Sequence, residues 1–597
     1  MKQLLIGIDV GSTTTKITVL NKTTESLLYS DYRRHHADQL ASVLFAIRYA
    51  DMAEDSFHQE LLAEGERILK QVTEENRYAV ILASRPYQND PLVNHNLPEM
   101  FTSLGIPVLT ADAVPGVNDV DLTNSRLDVV NNYHARMLGS AVIAAENPHL
   151  EYVQIVSFGC GHDAYLSDEI IRLMKQGSGK IPLVLKLDES EIQGPLRIRV
   201  RSFIETVRMQ REKHEEAPVH ALTDPYPVKY EKKDRKERIV LIPNTSHAFC
   251  RVMSAAMERQ GLRAEPLPIG RDEAIRLGKK YVHNDICFPA QIVIGEALAA
   301  LKSGKYDGKD VAIATGKYIG DCRLTHYSAL LRKALDDAGF SDVPILTNDD
   351  ADFHNLHPGF RLNLLSALRI AYALPMIDIL EELLRKIRPY ELTKGNADAA
   401  FEQAMDAVID GLSRHGVNGA KHGFEIIEAR MSDVIQKSYF YRDMQVREYH
   451  LHKPLQEKLW YRMADLFFDL AHDAADKIAS AHPLYDRPAV RLPELVKESD
   501  PIIHHTFDAG EGVLIPGEIL HHAAHGCRAF VILQPFGCLP NHVVGRGISK
   551  RLKELYPDVQ ILPLDYDPDV SFANIENRLQ MLIMNAREQE AEKDKTK

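Results

Sequence analysis

Two stretches far apart in the chain share one pattern, and that pattern narrows the fold class. Val156-Ser-Phe-Gly-Cys160 is followed by a helical stretch and then by the apolar run Leu183–Asp188. Gln534-Pro-Phe-Gly-Cys538 is followed in the same way by a helical stretch and Leu562–Asp565. From cysteine to aspartate the two intervals are 28 and 27 residues. A further helical pattern starts near Arg197–Phe203 in one copy and near Asn574–Leu582 in the other. A strand, a helix and a second strand at matched spacing argue for two related lobes built on parallel sheets.

The rest of the chain follows that grammar. Short β-rich runs at Tyr78–Ala83, Val108–Ala111, Tyr152–Phe158 and Pro182–Lys186 alternate with helical segments, among them the amphipathic Phe57–Val72 with Leu61, Leu62 and Ile68 on one face. A second set begins at Arg238–Pro243 and continues at Val311–Thr315 and Val343–Thr347. The expected fold class is α/β: several parallel-sheet, Rossmann-like lobes, a helical region and an N-terminal β-hairpin. The expected divisions are the hairpin segment 1–40, a first lobe 41–210, a polar linker 211–237, a second lobe 238–356, a helical region 357–482, a third lobe 483–585 and a charged tail 586–597, frayed from Arg587.

Composition excludes several classes of function. Acidic residues outnumber basic ones, 84 to 71, so the surface repels nucleic acid. No apolar run reaches the ~18 residues of a membrane span, and the apolar start at Leu4–Ile8 is too short for a secretory signal. Six cysteines in 597 residues are no disulfide scaffold, which points to reduced thiols or ligands and a cytoplasmic location.

Three groups of residues carry chemistry. The turn Gly7-Ile-Asp9-Val-Gly11-Ser12-Thr13-Thr14-Thr15-Lys16 brings backbone N–H groups and hydroxyls to one point, as a phosphate cradle does, and Asp9 at the strand end can hold Mg²⁺ through water. Cys287 precedes Phe288-Pro289, and proline in a first helical turn sets Cys287 at a helix N-terminus, where the dipole favours a thiolate. Cys322 and Cys538 follow predicted strands, at the carboxyl ends where α/β folds hold ligands. Cys160 shares the Phe-Gly-Cys placement; it is either a ligand or a relic of duplication. Cys250 opens a helix and is expected to pack, and Cys527 is expected to face the core. His521, His522 and His525 end a helix, where the dipole favours imidazole without any metal. The loop Phe507-Asp-Ala-Gly-Glu511-Gly512 either lines a pocket or merely connects elements. Arg85, Tyr87 and His95 form a polar loop suited to an anion or to a structural turn.

The first turn resembles the phosphate loop of the actin and sugar-kinase ATPase superfamily, and most of all the activator ATPases of 2-hydroxyacyl-CoA dehydratases. That fold needs a second phosphate loop and a Gly-Gly adenosine motif, neither of which follows here, so the segment reads as a truncated ATPase and ATP with Mg²⁺ is not expected to bind this chain alone. Residues 55–585 resemble the acyl-CoA dehydratase activase-related proteins. The resemblance rests on Ser84-Arg85-Pro86-Tyr87, Ser157-Phe-Gly-Cys160-Gly-His-Asp163, Asp285-Ile-Cys287-Phe-Pro289, Gly320-Asp-Cys322-Arg323, Arg388-Pro-Tyr390-Glu391, Gln534-Pro-Phe-Gly-Cys538-Leu-Pro540 and Asn574-Ile-Glu-Asn-Arg578. It implies a [4Fe–4S] cluster held by Cys287, Cys322 and Cys538, with Cys160 in a second tier, and low-potential electron transfer to a bound small substrate such as an acyl-CoA. An ATPase activator or electron donor would be a separate partner, and a homodimer is compatible with the reading. Two alternatives stand beside it: a double-cubane reductase using all six cysteines, and a non-catalytic scaffold that keeps the fold.

Overall fold

The computed structural model describes residues 4–10, 14–21, 26–34, 39–129, 131–157, 159–188, 193–213, 218–270, 272–318, 320, 322–348, 354–414, 431–449, 451–480, 490–567 and 571–596; side chains are described from residue 54. The chain is a mixed α/β protein with several parallel sheets and many helices. It divides into two compact units. The first comprises 1–122, 131–158 and 170–222; the second comprises 123–130, 159–169 and 223–597.

In the first unit, β1 (Leu4–Val10), β2 (Thr14–Asn21) and β3 (Ser26–Arg34) form an antiparallel sheet in which Asp9 pairs with Lys16. Gly11, Ser12 and Thr13 of the expected phosphate cradle lie outside the described residues, and for Asp9, Thr14 and Lys16 only the backbone is described. Helix α1 (Gln39–Glu74) leads into a four-stranded parallel sheet of β4 (Ala79–Ala83), β5 (Val108–Thr110), β6 (Leu150–Ser157) and β7 (Leu183–Leu187), in the order β5-β4-β6-β7. Period-two alternation sends Val80, Leu82, Val153, Ile155, Leu185 and Leu187 to one face, where they form a core with Leu196, Val200 and Val207 of α2 (Gln193–Glu212). On α1, a Cβ on Gly65 would collide with the Ala113 carbonyl, so only glycine allows this approach.

In the second unit, β8 (Ile239–Ile242), β9 (Arg263–Pro266), β10 (Val311–Ala314) and β11 (Ile345–Leu346) form another parallel sheet in the order β9-β8-β10-β11. Both sheets therefore place their second strand outside the first and run on through the third and fourth, with a switch point between first and third. The strand β9 was not legible as one; Arg263 and Glu265 break its apolar pattern. Helices α3 (Asp272–Tyr281) and α4 (Phe288–Lys302) pack through glycines, for a Cβ on Gly295 would overlap the Ala274 carbonyl and one on Gly278 the Gln291 carbonyl. The helical region holds α5 (Leu364–Ile387), α6 (Asn396–Arg414), α7 (Met431–Glu448) and α8 (Leu455–Ala479). Beyond it, α9 (Leu514–Ala524) precedes β12 (Ala529–Pro535), which pairs in parallel with β13 (Gln560–Tyr566).

Within the expected linker Tyr226 and Tyr230 are buried, and Tyr230 exchanges backbone hydrogen bonds with Leu356 and Gly359. Two local expectations need correction. The charged end does not fray at Arg587, because α10 (Phe572–Thr596) continues through it on good helix formers. Cys527 is exposed rather than in the core, since it precedes β12 and β12 leaves Val531 and Leu533 uncovered on one face. Among the described residues no helix is long and apolar enough to cross a membrane.

Candidate metal centre

Cys287 is the N-cap of α4, with Pro289 in the first turn, so its thiol stands at the positive end of the helix. The amide of Phe288 donates to the carbonyl of Phe536 at 2.8 Å, which fixes the Phe-Gly-Cys turn after β12 against the start of α4. Gly537 makes that approach possible. Its φ is 68°, and a Cβ there would lie 3.1 Å from the Cys287 Cα. Arg323, the neighbour of Cys322, donates to the Gly537 carbonyl at 2.5 Å. Gly510 lies so close to Cys322 that a Cβ would sit 3.7 Å from its Sγ. Three separate segments thus deliver Cys287, Cys322 and Cys538 to one place.

The thiols sense one another. Burial, then the Glu511 carboxylate and the other two cysteines, push Cys322 up to about 12, and burial and Glu511 push Cys538 up to about 11. Burial also raises Cys287, against the lowering expected from the helix dipole; dehydration outweighs the dipole at this N-terminus. The Tyr327 hydroxyl, 3.4 Å from the Cys287 sulfur, is raised by burial and by all three thiols.

A second layer surrounds the sulfurs. Asn541 donates to the Cys538 Sγ and to Glu511 Oε1, each at 3.1 Å. The loop from Phe507 to Gly512 adjoins the thiols: Glu511 Oε1 is 3.9 Å from the Cys538 Sγ, and Asp508 accepts from the Tyr318 hydroxyl at 2.7 Å and from Lys437 Nζ at 2.5 Å. Lys437 arrives from α7, almost wholly buried, with its ammonium 4.1 Å above the Tyr441 ring. Tyr318, Tyr327, Lys437 and Asn541 escaped the sequence reading, because each is placed by tertiary contact rather than by a local motif; only Asn541, three residues beyond Cys538, carried a local hint.

Cys250, Cys527 and the histidines stand apart, whereas Cys160 lies next to Gly161, which abuts Arg323 beside Cys322. Cys250 lies in the apolar core beneath β8, its Sγ 3.3 Å from the Pro243 carbonyl. Cys527 is on the far side of β12 from Cys538, about 23 Å away along seven strand residues, so those two cannot share a cluster. Cys160 is partly exposed, and a Cβ on the adjacent Gly161 would strike the Arg323 guanidinium. His521 meets Glu498 and His522 meets Glu518, ion-pair geometry at a helix end. In the first unit, the Tyr87 hydroxyl is within 3.2 Å of Ser157 Oγ, and His95 contacts the Asp188 carbonyl.

Tetrahedral Zn²⁺ would hold its sulfurs about 3.8 Å apart, yet among the described residues the one trio of potential ligand atoms lying within 4.8 Å of one another is Asp500, His504 and His505 on the surface. The three thiols are therefore not all gathered within that spacing of one another.

Residues 8–114, from β1 to just beyond β5, match the family described as a CoA enzyme activase uncharacterised domain. That match supports a relationship to CoA enzyme activases for this part of the chain. No curated protein and no solved structure matches.

Proposed function

We propose that Cys287, Cys322 and Cys538 hold a [4Fe–4S] cluster and that the chain works in low-potential electron transfer to a bound small substrate, such as an acyl-CoA, after ATP-driven activation by a partner. The observation that carries this reading is the convergence of three thiols from three segments, with no fourth cysteine joining them on the side of Glu511 and Asn541. When bound, a cubane with three thiolate ligands supplies one-electron chemistry and one iron open to an oxygen ligand.

The chain's own residues have definable parts. Cys287, Cys322 and Cys538 would lose their protons on binding the metal, and the start of α4 and Asn541 stabilise the negative sulfurs. With Cys287 deprotonated, the Tyr327 hydroxyl, 3.4 Å from its sulfur, would be the donor of that contact. Lys437, held by Asp508 and Tyr441, supplies positive charge facing Glu511 and Cys322. The activase-like stretch 8–114 supports placing the chain in CoA-linked chemistry.

Anaerobic reconstitution, followed by visible absorbance and iron and sulfide analysis, tests the reading. Cys287→Ala, Cys322→Ala and Cys538→Ala should each abolish the cluster, whereas Cys250→Ala and Cys527→Ala should keep it. Full iron in any of the first three variants refutes the ligand set, and an iron-free wild type that folds normally leaves the scaffold reading.

A further inference from the structure

Helix α8 is apolar on two sides, and among the described residues only one of them is covered. Tyr461, Phe468, Ala471, Ala475 and Ala479 are buried on the inner side. On the outer side Leu455, Leu459, Met463, Leu466 and Leu470 are 81%, 57%, 56%, 58% and 50% exposed, beside Trp460 at 48%. A surface helix that packs by one stripe needs no second one. Scattered exposed leucines are ordinary, but a continuous row is not.

The row has the geometry of a helix-pairing seam. Its members are spaced four, four, three and four residues apart, and Leu459-Met463-Leu466-Leu470 follows the alternation of coiled-coil contact positions. It runs about 22 Å along the helix. At on the order of 100 Å² for each of six side chains, it offers about 600 Å² per copy, near the ~800 Å² per partner of a standard interface.

Charge selects both the occupant and its direction. In the first half of α8 Lys458 and Arg462 are matched by Glu457 and Asp465, with Lys453 just before the helix pairing with Glu457, while Asp469, Asp473 and Asp476 outweigh Lys477 in the second. Arg462 already meets Asp443, and Asp473 and Asp476 meet Arg491. Lys458 makes no ion pair among the described residues; Asp469 accepts from the neutral amide of Gln436, and Asp465 accepts from the same amide and feels the Arg447 charge. An antiparallel copy of α8 centred between Met463 and Leu466 brings Lys458 of each chain to within about a turn of Asp469 of the other. A parallel copy would set like charges side by side.

We propose that the outer face of α8 is a self-association surface, on which the same helix of a second copy lies antiparallel about a two-fold axis. Such an isologous contact is the commonest route to a closed dimer. The surface is independent of the metal centre and of the electron-transfer reading.

The chain's single tryptophan, Trp460, lies beside the seam and reports its burial. Sedimentation velocity of the full chain from about 1 to about 50 µM, a range spanning micromolar affinity, should show a dimer, with Trp460 emission moving to the blue as it forms. Leu459→Glu/Leu466→Glu should sediment as a monomer with red-shifted emission and unchanged far-UV circular dichroism. Lys458→Glu should weaken the dimer about tenfold, and adding Asp469→Lys to the same chain should restore it; this pair decides the matter if the leucine variant fails to fold. A wild type that stays monomeric, a dimer indifferent to the leucine changes, a charge pair that does not restore, or a monomer using this face for a different protein each overturns the proposal.

Discussion

Replacing Lys437 by methionine tests whether the pocket is organised around a buried cation. The Lys437 side chain is 2% exposed and its ammonium lies 2.5 Å from Asp508, whose own side chain is 25% exposed. Removing one partner of a buried pair costs about 3–5 kcal/mol because the other charge is left without compensation; the partial exposure of Asp508 puts this case near the lower figure. Loss of the contact with the Tyr441 ring, 4.1 Å away, adds about 0.5–1 kcal/mol. The sum is about 3–4 kcal/mol. Trp460 lies on α8, which packs beside α7, so its emission follows the unfolding of the region that carries Lys437. With a urea slope of about 2–3 kcal/mol/M, Lys437→Met should lower the midpoint of that transition by 1 M or more, roughly. Asp508→Asn should do likewise by stranding the ammonium. The double variant Lys437→Met/Asp508→Asn should recover most of the loss, with a coupling of about 2 kcal/mol or more. A midpoint within ~0.3 M of wild type for Lys437→Met, or strict additivity in the double variant, would refute the reasoning.

Acid should loosen the first unit through His134, whose pKa burial and then the Arg85 charge hold down to about 3. The unfolded chain takes up that proton near pH 6.5 and the folded one refuses it, so stability is present above 6.5 and is lost as pH falls toward 3, by about 2 kcal/mol at pH 5; hydrogen exchange of β4 and β6 should record a steeper acid slope in wild type than in His134→Leu, and equal slopes would contradict the assignment. Gly537→Ala should cost more than Gly159→Ala and should alone lower iron retention. Both glycines have positive φ, 68° and 67°, worth about 1 kcal/mol each, but only the first would press a methyl group against Cys287.

What could be read from the chain was what local pattern controls. Pro289 marks the start of α4, and so the helix-end position of Cys287 was visible, as were strands ending shortly before Cys322 and Cys538. Periodicity tells which residues alternate, not which face acquires a cover, and that is why Cys527 was misjudged: β12 is half of a two-stranded sheet with Val531 and Leu533 exposed. The direction of the Cys287 shift was misjudged for a related reason. A helix dipole can be inferred from a sequence, whereas the dehydration that overrides it depends on how closely Gly537 and Tyr327 approach. Lys437 was hidden inside a helical region whose pattern predicts only packing, and nothing near it in sequence hints at Asp508.

The repeated Phe-Gly-Cys segment separates what a motif encodes from what a site requires. In both copies a parallel strand ends, glycine takes a left-handed turn, and cysteine stands three residues beyond the strand. The two glycines take the same left-handed φ, 67° and 68°, so the motif specifies a turn at that point. The surroundings are not the same. Around Gly159 an added Cβ would meet nothing within 4 Å, while around Gly537 it would meet the backbone of Ile286 and Cys287. Cys538 gains a role from what that turn is pressed against: the N-terminus of α4, the guanidinium of Arg323 that grips the Gly537 carbonyl, and the Asn541 amide aimed at its sulfur. A turn that holds a thiol at a strand end becomes a ligand only where other chain segments bring further thiols and remove water. If the proposed cluster is present, the turn at Cys538, pressed against Cys287, is the copy placed to hold it, and the two copies of one motif then differ in chemistry while agreeing in fold.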